Sequence, residues 1–162
     1  MIRALLLSDI HGEDTGLRWL LEQVWKYTGP IDAYVHLGDG AYDFQQLESF
    51  IRARDPQAKM YGVRGNNDWG SMDIPDTRIE TFGGVRMLLT HGHRYHVRAT
   101  YDCVDLAARE RGCKIALFGH AHVQDMEMRS ILLLNPGSTN NDRMALIHID
   151  DKGDIRPELI EY

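Results

Sequence analysis

No run of Lys or Arg occurs anywhere in these 162 residues, and the formal net charge is -6. A protein that grips duplex nucleic acid needs a basic patch or stripe, so none is expected as a partner. A small anionic substrate is still allowed, because bound metal ions can reverse the local charge. Long apolar runs are missing too. Only Ala4-Leu5-Leu6-Leu7 separates Arg3 from Ser8-Asp9, which is too short for a secretory h-region or a membrane span. The expectation is a cytoplasmic protein without a membrane partner. Cysteine is scarce: Cys103 and Cys113 lack CxxC spacing, and a reduced pair is the better reading than a disulfide. There are no internal repeats, low-complexity stretches or linkers. With 43% hydrophobic residues, residues 1–162 are expected to bury the core of a single domain.

The apolar pattern alternates strand and helix through the first half. Arg3 to Leu7 predicts a buried strand, and Leu17, Leu20, Leu21 and Val24 recur at helical spacing. Ala33 to Leu37 predicts a second strand. Phe44, Leu47, Phe50 and Ile51 mark one further helix, and Lys59 to Val63 a third strand. This β-α-β-α-β order implies a parallel sheet. The second half is richer in strands. Arg78–Phe82 and Val85–Thr90 flank Gly83-Gly84 as a hairpin. A helix over Tyr101–Arg111 precedes strands at Ile115–Phe118, Met126–Met128, Ile131–Leu134, Met144–Ile149 and Ile155–Ile160. That is too many strands for one small open sheet, and two packed sheets with outer helices fit better.

Residues with metal-binding chemistry stand just after the predicted strands: Asp9 and His11, Asp39, Asn66, His91, then His120 and His122. Ligands in α/β sheets gather outside the carboxyl ends of the strands, where loops distant in sequence converge. Glycine neighbours them in Ile10-His11-Gly12, Gly38-Asp39-Gly40, Gly65-Asn66, His91-Gly92 and Gly119-His120. Each piece alone reads as ordinary structure. Asp9 would cap a helix, Gly38-Asp39 would be a turn, and His120-x-His122 would be two loop histidines. Turns call for Asp and Asn, but not for a series of imidazoles. The mixed nitrogen and oxygen set suits Mn, Fe, Zn, Co or Ni, and it is too large for one tetrahedral zinc. Two ions about 3.5–4 Å apart would use it fully.

In this order the motifs resemble those of the calcineurin-like metallophosphoesterases across nearly the whole chain. Asn135-Pro136-Gly137-Ser138, with Arg143 beyond, is similar to the closing motif of the small YfcE-type phosphodiesterase subfamily. The resemblance implies an α/β, four-layer α/β/β/α sandwich of two packed mixed sheets flanked by helices. It also implies two divalent transition-metal ions per chain, with Mn preferred. Asp9, His11 and His122 would hold the first ion, Asn66, His91 and His120 the second, and Asp39 would bridge them. Two divalent ions outweigh Asp9, Asp39 and one bridging hydroxide, so the site would favour an anionic phosphoester. The expected activity is hydrolysis of a phosphate ester, a diester rather than a monoester, by in-line attack of that hydroxide. Many family members carry Gly-Asn-His-Asp, whereas this chain has Gly65-Asn66-Asn67-Asp68. Neutral Asn67 offers no proton of useful pKa to a leaving group.

Asp39 and Asn66 are also expected to be catalytic, together with His93, which either touches substrate or supports the ligands. Arg98 and Arg143 are the candidate phosphate-binding cations. His36, inside an apolar strand, reads as a satisfied core histidine, and His96 as a surface residue. Trp19 and Trp25 read as packing, Trp69 as a residue of the pocket wall, and Asp43 as a helix cap. Ser8 and Ser138 receive structural roles, because no histidine–carboxylate pair is arranged in sequence to activate either. A catalytically weak, metal-stabilised scaffold for a protein partner is the alternative reading, but it has no need of a complete ligand set. The sequence is compatible with a homo-oligomer.

Overall fold

A computed structural model describes residues 1–10 and 14–162. In chain order the elements are β1 (Ile2–Leu7), α1 (Asp14–Trp25), β2 (Ala33–His36), α2 (Ala41–Gln46), α3 (Glu48–Arg54), β3 (Lys59–Gly62), β4 (Thr77–Phe82) and β5 (Val85–Thr90). Then come α4 (Asp102–Glu110), β6 (Ile115–Leu117), β7 (Gln124–Met128), β8 (Leu132–Pro136), β9 (Arg143–Ile149) and β10 (Ile155–Glu161). Short 3-10 turns cover His93–Tyr95 and Thr139–Asn141.

The strands form two five-stranded sheets, ordered β10-β9-β1-β2-β3 and β4-β5-β6-β8-β7. In the first, β1, β2 and β3 are parallel, as the alternating pattern implies, while β9 runs antiparallel between β1 and β10. In the second, β5, β6 and β8 are parallel, with antiparallel β4 and β7 at the edges.

Side-chain alternation along each strand divides the core into layers. Ala4 and Leu6 of β1 pack with Leu89, Leu117 and Leu134 between the sheets. Leu5 and Leu7 face the other way and pack with Leu17, Leu21 and Val24 of α1. On the far side Leu88, Ala116 and Leu133 receive Val104 and Ala108 of α4. Each fully buried Leu, Ile or Val contributes roughly 1.5–3 kcal/mol of transfer free energy. The result is the α/β/β/α sandwich.

The hairpin forms as expected: Gly83 and Gly84 both have positive φ (58° and 77°), matching a two-residue type I′ turn. The helix expected to run from Phe44 through Ile51 is instead two. Leu47 N–H bonds to Phe44 O at 3.1 Å, a tightened step that ends α2 before α3 begins. Cys103 is exposed, Cys113 is buried, and both are free. Trp25 packs as expected, 5.1 Å from the Phe50 ring and bonded to Tyr34 Oη. Trp19 is 50% exposed and meets Tyr162 edge-on. No helix among the described residues is long and apolar enough to cross a membrane.

Candidate metal centre

The parallel strands of both sheets deliver their following loops to one place. The donor atoms of Asp9, Asp39 and His91 all lie within 4.8 Å of one another, and all three residues are buried. His91 Nε2 is 3.3 Å from an Asp39 oxygen and 3.9 Å from an Asp9 oxygen. His120 Nδ1 lies 3.2 Å from His91 Nε2, and His122 Nε2 lies 3.1 Å from Asp9 Oδ1. Residues spread from position 9 to position 122 therefore form one cluster. His11 lies outside the described residues. Asn66 is exposed and lines, with His93, a cavity of about 270 Å³.

Backbone conformation aims these side chains. Asp9, Asp39, His120 and His122 all have positive φ, between 55° and 67°. Non-glycine residues rarely adopt that region, and its strain persists only where surrounding structure enforces it. The enforcement is visible. Asp9 N–H bonds Gly38 O at 3.0 Å, and Ile10 N–H bonds Asp39 O at 2.8 Å. Ser138 Oγ donates to Asp9 O at 3.1 Å, and Asn135 Nδ2 donates to Gly119 O at 3.0 Å. The glycines have a further purpose here. A Cβ on Gly65 would overlap the Asp39 carboxylate, and one on Gly119 would overlap Ser8 Oγ.

The electrostatics suit cations. Among the described residues no Lys or Arg pairs with Asp9 or Asp39, and buried carboxylates need compensation. Burial would raise the Asp39 pKa, yet hydrogen bonds from His91 and Asn67 hold it well below the usual carboxylate range. Burial would lower that of His91, but Asp39 and Asp9 together raise it. His91 Nδ1 is 2.6 Å from Leu37 O, so Nδ1 donates to that carbonyl and Nε2, which faces the two carboxylates, is the nitrogen that a metal would take after losing its proton. His120 is pushed down to about 4 by burial and by the charge of His91 and Arg98. A neutral imidazole is the form that ligates. His93 is lowered by burial and by His91. Its ring centroid is 5.5 Å from that of His91 and 6.1 Å from that of His120. The donor set, its burial and the fixed tautomer fit divalent transition metals.

The other expected residues divide. Arg98 is exposed and reaches His120 O at 3.4 Å, beside the cluster. Arg143 instead turns its guanidinium to Glu161, 3.1 Å away, at the β9–β10 edge. His36 is fully buried as expected but only half satisfied: Nδ1 accepts the Gly38 N–H at 3.4 Å, and Nε2 has no partner among the described residues. Burial lowers its pKa to about 4. Asp43 stands in the first turn of α2, but the capping carboxylate there is that of Asp68. Asp68 accepts from the N–H groups of Asp39, Gly40, Ala41 and Gly65 at 2.7–3.0 Å. Sequence reasoning missed this role, since an Asp after two Asn residues reads only as turn chemistry. Asn67 was also read only for what it cannot do. Its Nδ2 and its backbone N–H each hold an Asp39 oxygen, at 2.9 and 2.8 Å.

Comparison with known proteins agrees with this geometry. The model of the calcineurin-like phosphoesterase superfamily domain matches residues 2–152. The probable metallophosphoesterase YsnB of Bacillus subtilis is 31% identical over 144 residues, covering 88% of this chain and 78% of that protein. A solved Streptococcus pneumoniae TIGR4 protein, described as a predicted phosphoesterase, superposes with a TM-score of 0.75 at 26% identity, over 99% of this chain and 89% of its own. An archaeal phosphodiesterase shares the fold, with a TM-score of 0.73 at 17% identity, over 98% of this chain and 100% of its own.

Proposed function

The chain belongs to the calcineurin-like phosphoesterase superfamily and is a metal-dependent phosphoesterase; we propose that it is a dinuclear phosphodiesterase working by in-line attack of water on phosphorus. The observation that carries this reading is the convergence of Asp9, Asp39, His91, His120 and His122 from both sheets at one cluster, of which the first three are buried. Asp9, His11 and His122 would hold one ion, Asn66, His91 and His120 the other, and Asp39 would serve both. Two such ions lower the pKa of bound water and offset charge on the phosphoryl oxygens, and Mn is the preferred metal.

The residues of the chain orient that chemistry. Asp39 is positioned by Asn67 and Asp68, and Asp9 by Ser8 and Ser138. His93 borders the imidazole cluster, where it touches the substrate. Arg98 beside His120 is the nearer phosphate-binding cation. Arg143 is available to a phosphate only if it releases Glu161. A monoester dianion asks for more cationic side chains than these, which favours a diester. The proposed localisation is cytoplasmic, and residues 1–162 are read as a single metallophosphoesterase domain. A catalytically weak scaffold of the same fold is the less supported alternative, because it would not require the convergence of these ligands.

The test compares Mn-loaded protein on bis(4-nitrophenyl) phosphate and on 4-nitrophenyl phosphate, with metal content measured on the same sample. The expected result is about two ions per chain and a higher kcat/KM for the diester. At most one tight ion under every metal tried, or a clear monoester preference, contradicts the reading. Full occupancy without turnover on any ester favours the scaffold.

A further inference from the structure

Trp69 is 88% exposed, the largest exposure among the described large hydrophobic side chains. Tryptophan is highly buried on average. Among the described residues Trp69 has no aromatic ring partner, unlike Trp19 and Trp25. Its root, however, is anchored. The preceding Asp68 bonds four backbone N–H groups, including that of Asp39. The ring therefore projects from the best-tethered point of the loop, not from a free end.

The ring lines the cavity of about 270 Å³ that also contains Asn66 and His93. His93 on its wall has its ring 5.5 Å from that of His91, which places the space beside the proposed metal centre. Arg64 and Arg94 share the Asp76 carboxylate on its wall, at 3.1 and 2.7 Å. Asp68 on the same wall balances the second guanidinium, so the lining carries two guanidinium groups and two carboxylates. An exposed indole near guanidinium groups suits a planar π-system attached to a phosphate, because base–aromatic stacking tolerates any ring.

We propose that Trp69 is a specificity-determining residue, and that the cavity binds a planar aromatic ester substituent of the substrate, a nucleobase or a simpler aryl group. This rests on the phosphodiesterase reading above. It adds which face of the site receives the substituent and what chemistry that substituent has.

The experiment measures kcat/KM of the Mn-loaded wild type, Trp69→Ala and Trp69→Phe on three diesters. These are thymidine 5′-(4-nitrophenyl phosphate), bis(4-nitrophenyl) phosphate and the wholly aliphatic glycerophosphoethanolamine. Trp69→Ala should lower kcat/KM for an aromatic diester roughly tenfold, mainly through KM. It should leave the aliphatic diester within about twofold, and Trp69→Phe should retain most of the wild-type value. Loss on the thymidine ester alone identifies a nucleoside site, and loss on both aromatic esters a general aryl site. An equal effect on all three, or none, overturns the proposal. If no diester is hydrolysed, the phosphodiesterase reading fails. Calorimetric binding of thymidine 5′-monophosphate then decides separately: a roughly tenfold weaker affinity in Trp69→Ala upholds the stacking site, and an unchanged affinity overturns it.

Discussion

Asp68 sets the position of Asp39 through the backbone: its Oδ2 accepts the Asp39 N–H at 2.8 Å and the Gly65 N–H at 2.7 Å. One carboxylate thus ties the loop after β2 to the loop after β3. Asp68→Ala would leave these N–H groups and those of Gly40 and Ala41 without their acceptor, at about 1–3 kcal/mol for each one left unsatisfied. Losing support for a ligand typically weakens metal binding about 10–100-fold. Calorimetric Mn titration of Asp68→Ala should show a loss of that size, with Asp68→Asn intermediate because it keeps one acceptor oxygen. Wild-type affinity in Asp68→Ala would remove Asp68 from this role.

Asp39 and His93 should separate metal binding from turnover. Asp39 lies between the two proposed ion positions, so Asp39→Ala should lose both ions at once in elemental analysis. His93 borders the cluster, and its Nδ1 has no hydrogen-bond partner among the described residues. His93→Ala should keep its metal content in elemental analysis and show reduced turnover only. Chelation should abolish activity in the wild type, and added Mn should restore it. An Asp39→Ala protein with full metal content would refute the bridging assignment.

Neither serine near the cluster is arranged as a nucleophile. Ser8 Oγ donates to Asp9 Oδ2 at 2.6 Å, and Ser138 Oγ to Asp9 O at 3.1 Å, so both hydroxyls position Asp9. Ser8→Ala should weaken metal binding by an amount set by a charged hydrogen bond, about 1.5–3 kcal/mol at most, and should still turn over. Hydrolysis of a diester with a chiral phosphorus centre should invert configuration, as a single in-line displacement requires. Net retention would instead reveal a covalent phospho-enzyme.

His36 should make the fold acid-sensitive. Burial holds its pKa at about 4, against 6.5 in the unfolded chain. Above the unfolded value both states are neutral and His36 has no effect on stability. As pH falls below 6.5 the unfolded chain takes up a proton that the folded chain refuses, until the folded state titrates near 4. Across that window stability should fall by about 3 kcal/mol on this account. Urea unfolding of His36→Leu at pH 7 and pH 4.5 should show a smaller acid loss than the wild type. Equal losses in both proteins would assign the sensitivity elsewhere.

Much of this molecule is legible in its residue order. The continuous apolar run of β1 and the 3.6-residue pattern of Leu17, Leu20, Leu21 and Val24 are local, so the elements and the layered fold follow from them. The positions of Asp9, Asp39, His91, His120 and His122 at strand ends are local too, and parallel strands send such loops to one end. Other features depend on partners far along the chain. The break at Leu47 arises within one apolar period that reads as a single helix. Asp68 becomes a cap only where the loops after β2 and β3 meet, and Asn67 becomes a support for Asp39 in the same place. Arg143 faces Glu161 because β9 and β10 pair across seven residues in antiparallel register. Sequence determined which chemistry could occur, because residue types and strand ends are properties of the chain itself. Tertiary structure decided which groups share hydrogen bonds and which side chain stands exposed beside the centre, because those depend on distances between segments that the linear order does not contain.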